Sequence, residues 1–447
     1  MMKKMKRAVS IMLMAAIMVM MVGCSSDNSQ NEKSASDDSK QSDVSNSSEA
    51  SNVTDGNSEP LVMVYPADPG AEEKLNTILA EFNKEYPDIQ VKVEYIPFTN
   101  WGDYITKVKT MISGNQSIDV IRLATEGVST FVEEGLAISF NDFFADNEEL
   151  LKNIGADQVH ENVNSTFEQD GKKYGLAWEW NNAVEFINTK LLEEANLSMP
   201  EKDWSREDIL QYAQALTVEK DGYTQYGIAV SPDYFTMSNW IYANNGSILN
   251  EDMTECTLNT PEVKEVVQFL YDLVYKYKVA PVPAGLDNLH LFMSDQIAMI
   301  SYGRGGINSL HSNDFTTYDV QYIPGQPSGK IAFGAAGFVA LSSSKQQENA
   351  MLLASWLAGN KSSQETFMKY DSIPSRIDVM EELLPSMEPE NGEIWRESAD
   401  NAVPLQAPSC YAEMTNIFDK YMTKIFADEI SVEEGLEKAT EEINKLL

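Results

Sequence analysis

The sequence predicts an α/β fold divided into two lobes, and three observations lead to this prediction. From Pro60 onward, segments with the two-residue period of strands alternate with amphipathic helices, an order typical of βαβ units and a largely parallel sheet. The chain has 447 residues, which is about the length of two lobes of roughly 200 residues each after processing. Apolar residues make up 43% of the chain, enough to bury a core in each lobe.

Three strand-and-helix pairs open the folded body. The strands are predicted at residues 61–65, 91–95 and 118–123, and the helices that follow them at 75–86, 101–112 and 128–134. A turn at Asp68-Pro69-Gly70 follows the first strand, and Ala124-Thr125-Glu126 follows the third. Because ligands of parallel α/β sheets bind beyond the carboxyl ends of the strands, these two loops are candidate sites.

The alternation of strands and helices continues to the C-terminus. A capping box of Ser205 and Asp208 predicts a helix that reaches Leu216, and Pro261 marks the first turn of a helix that runs to Tyr277. Further strands are predicted at 297–301 and 338–341, and further helices at 347–357, 413–426 and 432–446.

The N-terminus has the organisation of a secretion signal. Lys3, Lys4, Lys6 and Arg7 form a positive segment, and residues 8–22 are apolar except for one serine, which is short for a membrane span. Gly23-Cys24 resembles the lipobox of bacterial lipoproteins, although Met21 stands where leucine is usual. We therefore expect a signal peptide at 1–23 and acyl chains such as palmitate on Cys24, with an ordinary signal peptide as the alternative.

Residues 24–59 have the composition of a flexible tether. They are rich in serine, aspartate and asparagine and contain almost no apolar side chains, so they cannot offset the entropy cost of ordering. A coil of this length spans about 30–35 Å. The sequence therefore predicts a body held at the extracellular face of the cell membrane by its lipid alone.

Charge and motif content exclude several functions. The net charge is −36, from 69 acidic and 33 basic residues, which argues against binding of nucleic acid. The three histidines, at positions 160, 290 and 311, have no zinc-site spacing, and neither a GxSxG nor a GxxxxGK[ST] motif occurs. We expect no metal, no cofactor and no catalytic residue. Cys256 and Cys410 either form a disulfide or remain thiols, and we favour the thiols.

From about Pro60 to Leu447 the chain resembles extracellular solute-binding proteins of family 1, the family that includes maltodextrin-binding protein. The order of six loose motifs carries the resemblance: AEFNKEYPDIQVKVEYIP, TKVKTMISGNQSIDVIRL, FVEEGLAISFNDFF, GKKYGLAWEWNNAVEFINTKLLEEANL, FMSDQIAMISYG and SSKQQENAMLLASWL. One departure stands out, because the family commonly has a tryptophan after the Ala-Met strand and this chain has Arg304-Gly305-Gly306.

This resemblance implies a two-lobed, periplasmic-binding-protein-like fold of type II, with each lobe a sheet flanked by helices and the ligand in the cleft between them. We expect an N-terminal lobe of residues 60–179 plus 335–372 and a C-terminal lobe of 180–334 plus 373–447. The connecting segments are expected near 178–182, 333–338 and 370–376. The implied function is capture of a carbohydrate, an oligosaccharide in particular, by a monomer that closes like a clamp and delivers it to an ABC permease.

A sugar has flat C–H faces and a rim of hydroxyl groups, so its site needs aromatic rings and planar polar side chains. Trp178-Glu179-Trp180 supplies both on a predicted connecting strand. In a regular strand the two tryptophans share one face and Glu179 points to the other, so all three reach a ligand only where the strand kinks.

The resemblance assigns further positions to the site. It implies that Asp68, Glu126 and Glu179 accept hydrogen bonds from sugar hydroxyls, and that Tyr234, Trp240 and Tyr411 stack on the sugar. Arg304 is a candidate donor to a ligand carboxylate or to hydroxyls, with a surface salt bridge as the alternative.

Three alternative functions stay open from the sequence. A solute sensor uses the same clamp as a transport protein. A ligand of another class, such as a polyamine or an anionic uronate, fits the same fold. A secreted glycosidase would pair Glu179 with Glu126 or with Asp68.

Overall fold

The computed structural model describes residues 59–67, 70–220, 222–327, 329–368, 373–384 and 389–447. The predicted signal peptide, Cys24, the tether before residue 59 and the candidate site residue Asp68 lie outside the described residues. The described residues belong to one compact unit, Asp55–Leu447.

Strands within the described residues differ widely in length. They are β1 (Leu61–Pro66), β2 (Val91–Ile96), β3 (Val120–Ala124), β4 (Glu168–Gln169), β5 (Lys172–Lys173), β6 (Leu176–Asn188), β7 (Val218–Lys220), β8 (Tyr223–Gln225), β9 (Met299–Gly303), β10 (Tyr318–Gln321), β11 (Ile331–Ala340), β12 (Ile373–Pro374) and β13 (Ala402–Pro404).

Helices connect and cover these strands. They are α1 (Ala71–Glu85), α2 (Trp101–Ser113), α3 (Thr125–Glu133), α4 (Asn141–Asp146), α5 (Glu148–Ile154), α6 (Glu161–Asn164), α7 (Thr189–Glu194), α8 (Arg206–Leu216), α9 (Tyr234–Ala243), α10 (Pro261–Tyr275), α11 (Asn288–Met293), α12 (Gly306–Ser312), α13 (Gln347–Gly359), α14 (Lys361–Met368), α15 (Ile377–Leu383), α16 (Glu393–Ser398), α17 (Tyr411–Phe426) and α18 (Val432–Ile443). In this part of the chain, no helix combines the length and the apolar character that a membrane crossing requires.

Local signals place most of these elements where the sequence predicts them. The capping box of Ser205 and Asp208 is present at the start of α8, and Pro261 occupies the first turn of α10. α3 begins three residues earlier than predicted, at Thr125, and β11 begins seven residues earlier, at Ile331. Both differences arise because long-range contacts extend an element beyond the part that its own period reveals.

The main sheet is mixed, and the prediction of a largely parallel sheet is wrong. β2, β1 and β3 are parallel neighbours, as the βαβ order predicts. β11 then pairs antiparallel with β3, and β6 pairs antiparallel with β11, β9, β10 and β12. The βαβ pattern governs only the strands that helices connect directly, whereas β6 and β11 join the sheet from distant parts of the chain.

β6 runs through both halves of the molecule. Its 13 residues span about 40 Å. The first half of the strand lies beside β11 and β12, and the second half lies beside β9 and β10. β11 bridges in the same manner, from β13 at its start to β3 at its end. The predicted lobe boundaries after residues 179 and 334 fall inside these two strands.

A β-bulge interrupts β6 beside the ligand candidates. Ala336 pairs with Glu179 and Gly337 pairs with Ala177, so Trp178 has no partner residue in the register. The bulge changes the alternation of side chains. Trp178 packs in a core cluster with Leu176, whereas Trp180 packs in a different cluster with Ala177. The strand is therefore not regular at this point, and the two tryptophans pack in different clusters instead of sharing one face.

We expect Gly337→Ala to destabilise the fold at this bulge. A Cβ at Gly337 would lie 2.0 Å from the carbonyl oxygen of Leu176, and both groups belong to paired backbone that cannot move freely. Overpacking of this kind costs about 1–3 kcal/mol, which urea denaturation would show as a lower midpoint. In the control Gly114→Ala, the nearest atom to the new Cβ is 3.4 Å away. Equal midpoints for both variants would contradict the prediction.

Candidate ligand-binding site

A cavity of about 660 Å³ opens where the carboxyl end of β3 meets β6 and β11. Segments from both halves of the chain contribute to it. Its lining consists of Phe98, Trp101, Arg122, Ala124, Glu126, Glu179, Trp180, Asn181, Phe235, Tyr302, Gly305, Gly334, Ala335 and Ala336. We call it the aromatic cavity. Its position agrees with the expectation of a site beyond the carboxyl end of the third strand.

Aromatic rings form the walls of this cavity. Phe98 and Trp101 pack edge to face, with ring centroids 5.1 Å apart, and the side chain of Asn100 caps the helix that starts at Trp101. Phe235 enters from the first turn of α9, and Tyr302, which is 37% exposed, enters from β9. Such rings offer flat apolar faces of the kind that a sugar ring or another planar solute contacts.

Two glycines make room for these side chains in the segment that departs from the family pattern. A Cβ at Gly306 would lie 2.6 Å from the ring of Tyr302, and a Cβ at Gly303 would lie 2.8 Å from the side-chain amide of Asn181. The same Asn181 accepts a hydrogen bond from the backbone N–H of Arg304. The Gly-Arg-Gly-Gly segment is therefore required for close packing of Tyr302 and Asn181 at the cavity wall.

A buried ion pair lies at the base of the cavity. The guanidinium of Arg122 donates to Oε1 of Glu179 and, over 2.9 Å, to the hydroxyl oxygen of Tyr65. It also lies over the rings of Tyr65 and Trp101, at 4.8 and 5.4 Å from their centroids. Both members of the pair are about 95% buried, so each charge depends on the other for stabilisation.

Buried polar atoms without a hydrogen-bond partner within the described residues include Oε2 of Glu179, whose other oxygen takes part in the ion pair, and Nε1 of Trp180, which is fully buried. An acceptor and a donor without partners are costly in a protein interior. Both residues line the aromatic cavity.

Glu126 occupies the first turn of α3 at the edge of the cavity. Its helix is tied to β11, because the hydroxyl of Thr125 donates to the carbonyl of Ala335 and accepts from the N–H of the same residue. Burial raises the pKa of the Glu126 carboxyl to about 7. Glu126 also lines a neighbouring cavity of about 480 Å³, which Tyr411 bounds and which we call the second cavity.

Three of the residues expected at the site line the aromatic cavity together: Glu126, Glu179 and Trp180. Tyr411 and Glu126 both line the second cavity. Asp68 lies outside the described residues.

Three other expected residues are in protein cores instead. Trp178 is fully buried against Phe338 and Phe367. The hydroxyl of Tyr234 donates to the carbonyl of Gln406, and the indole N–H of Trp240 donates to Ser301. Their polar atoms are therefore used within the fold, and their rings do not line the aromatic cavity.

Arg304 is 2% exposed, and its guanidinium lies over the ring of Trp395 at 5.7 Å from the centroid. Arg304 is therefore not a surface residue, whereas the alternative of a surface salt bridge required an exposed one. Its neighbour Gly305 lines the aromatic cavity, whereas Arg304 is not among the lining residues.

Five charged or aromatic lining residues are not among the site residues that the sequence predicts: Arg122, Phe98, Trp101, Phe235 and Tyr302. For Arg122 a signal exists, because an arginine within the apolar run Val120–Ala124 must be paired once that strand is buried. Phe98 and Trp101 follow the carboxyl end of β2. The same position, after the carboxyl end of a strand, makes Asp68 a candidate. Phe235 and Tyr302 come from elements that only the tertiary fold brings here.

Cys256 and Cys410 are free thiols in the structure. Within the residues that the structure describes, no group of histidine, cysteine and acidic side chains could hold a metal ion.

The fold, with shared strands through both halves and a ligand-sized cleft beside them, defines a two-lobed binding protein of the periplasmic type. Residues 68–364, more than half of the chain, match the bacterial extracellular solute-binding proteins, and the chain belongs to this family. It is a family of binding proteins and not of enzymes.

Relatives and solved structures of this kind resemble the chain over most of its length. An ABC substrate-binding protein from Listeria monocytogenes, solved in complex with cycloalternan, is 26% identical with a TM-score of 0.77 and covers 87% of this chain and 98% of its own. Maltose-bound MalE3 of T. maritima is 17% identical with a TM-score of 0.72, and shows the fold alone. It covers 87% of this chain and 100% of its own.

Two curated relatives extend the comparison. An arabinooligosaccharide-binding protein from Halalkalibacterium halodurans is 22% identical over 392 residues, which are 82% of this chain and 84% of that protein. A binding protein from Brucella abortus is 25% identical over 285 residues. That match spans 62% of this chain and 66% of the relative, slightly less than two thirds of the relative's length.

Glu126→Gln should make the free energy of unfolding less dependent on pH. Because the pKa of Glu126 is about 7 in the folded chain and near 4.5 when exposed, the folded state holds this proton more tightly. The native protein therefore loses stability as pH rises from about 4.5 to 7, by up to about 3 kcal/mol, and less where solvent screens the carboxylate. Urea denaturation at pH 5 and pH 8 measures this loss.

The control for this prediction is Glu133→Gln, an exposed position at the end of the same helix. It should retain the pH profile of the native chain. Parallel profiles for the native chain and Glu126→Gln would show that the carboxyl is not buried as described.

Proposed function

We propose that the protein captures a carbohydrate outside the cell and delivers it to an ABC permease. The single observation that carries the proposal is the aromatic cavity, whose lining combines aromatic rings with Glu179 and Trp180, each of which has a buried polar atom without a hydrogen-bond partner among the described residues. Apolar faces with a few fixed donors and acceptors match the C–H faces and hydroxyl rim of a sugar. The sugars named for the relatives above are consistent with this class of ligand.

The lining residues come from both proposed lobes, and this arrangement supports closure of the lobes around a solute. Arg122 and Glu126 belong to the proposed N-terminal lobe, residues 60–179 plus 335–372, whereas Phe235 and Tyr302 belong to the proposed C-terminal lobe, 180–334 plus 373–447. A solute that contacts both walls stabilises the closed state by its difference in affinity for the two states. β6 and β11 connect the lobes and allow the movement. The clamp acts as a monomer.

Capture without turnover distinguishes this function from glycoside hydrolysis. Glu179 forms an ion pair with Arg122, whereas the raised pKa of Glu126 is a feature that general acids share, so turnover is tested directly. Calorimetry with maltotriose, arabinotriose, glucose and galactose should show binding of at least one sugar in the micromolar range, about −8 kcal/mol. The sugar should be recovered intact after prolonged incubation. Released reducing ends would identify an enzyme.

Tyr302→Ala should weaken sugar binding about tenfold or more, because the variant removes an aromatic wall of the cavity. A tenfold loss corresponds to about 1.4 kcal/mol, which is within the range for one aromatic contact. Titration calorimetry with the best-bound sugar measures the change. The matched control is Tyr223→Ala, a tyrosine with 43% exposure on the β7–β8 hairpin, outside the lining of the cavity. Equal affinities for the two variants would contradict the assignment of the cavity.

A lipid on Cys24 would hold the protein at the outer face of the membrane after removal of residues 1–23. The Gly23-Cys24 junction and the basic N-terminal segment support this proposal. Cys24→Ser should therefore move the protein from the membrane fraction to the medium and abolish its labelling by palmitate. Cys410→Ser, which changes a thiol of the folded body, should do neither. Membrane retention of Cys24→Ser would exclude the lipid anchor.

A further inference from the structure

The arrangement of charges around the aromatic cavity has a consequence for the class of sugar that fits it. The Arg122 guanidinium is paired with Glu179, so its positive charge is offset at the base of the cavity. Arg304, which the sequence offers as a donor to a ligand carboxylate, lies buried over Trp395. Within the described lining, Arg122 is the only lysine or arginine.

Glu126 forms no ion pair within the described part of the chain and faces an acidic environment. The titratable and charged groups that surround it from the neighbouring elements are Lys109 from α2, Arg122 from β3, Glu133 and Glu134 from the end of α3, Glu179 from β6, Tyr234 from α9, Tyr302 from β9, and Cys410, Tyr411 and Glu413 from the start of α17. Lys109 pairs with Glu134 at 2.5 Å. The charges of Asp233 and Asp419 also act on Tyr411.

Both cations of this set are therefore matched by carboxylates, whereas Glu126 forms no ion pair among the described residues. Of the two carboxylates in the lining of the aromatic cavity, Glu179 is compensated by Arg122 and Glu126 is not. A positive group on the solute would find a partner in Glu126, and a negative group would meet its uncompensated carboxylate in a partly desolvated site.

We propose that Glu126 makes the cleft selective for the charge of its solute, so that it accepts neutral and amino sugars and rejects uronic acids. This inference depends on the proposed carbohydrate capture and specifies the class of sugar. An ammonium group beside Glu126 forms a charge-assisted hydrogen bond in place of lost hydration. A uronate carboxylate in the same place is repelled, and the net charge of −36 on the whole chain disfavours its approach.

Two matched series test the selectivity on the full chain at pH 7: glucose, glucosamine and glucuronate, and galactose, galactosamine and galacturonate. Calorimetry should show at least one amino sugar bound ten times or more as tightly as its uronate counterpart. In Glu126→Gln this ratio should fall below about threefold. Glu133→Gln serves as the control, because it removes a carboxylate from the same helix outside the aromatic cavity, and it should keep the native ratio.

A second readout separates a direct role of Glu126 from a structural one. Since the pKa of Glu126 is about 7, an ammonium bound beside it should expel up to about half a proton at pH 7. Calorimetric enthalpies in buffers of different ionisation enthalpy measure this proton release. Proton release should occur with an amino sugar in the native chain and be absent with the neutral sugar. With the amino sugar it should be smaller in Glu126→Gln than in the native chain.

The outcomes distinguish this inference from the proposed function. A uronate that binds as tightly as its amino counterpart overturns the selectivity and leaves sugar capture intact. An unchanged ratio in Glu126→Gln, or binding of maltotriose or arabinotriose without any amino sugar, also overturns it. If none of the six sugars, maltotriose or arabinotriose binds, carbohydrate capture fails together with the selectivity.

Discussion

Strand β6 is the element on which the architecture and the site both depend. Its 13 residues pair with β11 and β12 at one end and with β9 and β10 at the other, so one continuous backbone ladder connects the two halves of the molecule. A buried strand keeps its pairing with its neighbours, because each backbone N–H and C=O group needs a hydrogen-bond partner. Halves that share such a strand can rotate about it without separating, as a clamp around a solute requires.

The bulge in β6 places residues of this strand at the candidate site. A regular strand would place Trp178 and Trp180 on one face and Glu179 on the other. The extra residue at Trp178 lets the tryptophan enter the core while Glu179 and Trp180 both border the cavity. Gly337 allows the partner strand to come close at this point, since a Cβ there would collide with the carbonyl of Leu176. The candidate site thus depends on a local irregularity within a strongly constrained element.

The electrostatics of the cavity follow from burial. Arg122 and Glu179 are tolerated in the interior because they neutralise each other, and the rings of Tyr65 and Trp101 cover the guanidinium. The other oxygen of Glu179, Oε2, is buried without a hydrogen-bond partner among the described residues. Glu126 forms no ion pair among the described residues, and burial therefore raises its pKa to about 7. Two carboxylates at one cavity thus acquire different properties from their surroundings.

The sequence by itself determined the local elements, the secreted character of the N-terminus as an expectation, and the carboxyl-end loop that carries Glu126. These conclusions depend on information within about one helical turn or one strand, such as the capping box of Ser205 and Asp208. Only the tertiary structure decided that Arg122 meets Glu179, 57 residues later in the chain, that Trp178 is core, and that Arg304 lies over Trp395. The physical reason is that periodicity specifies which face of an element is buried, whereas the identity of the partner across that face depends on packing between distant segments.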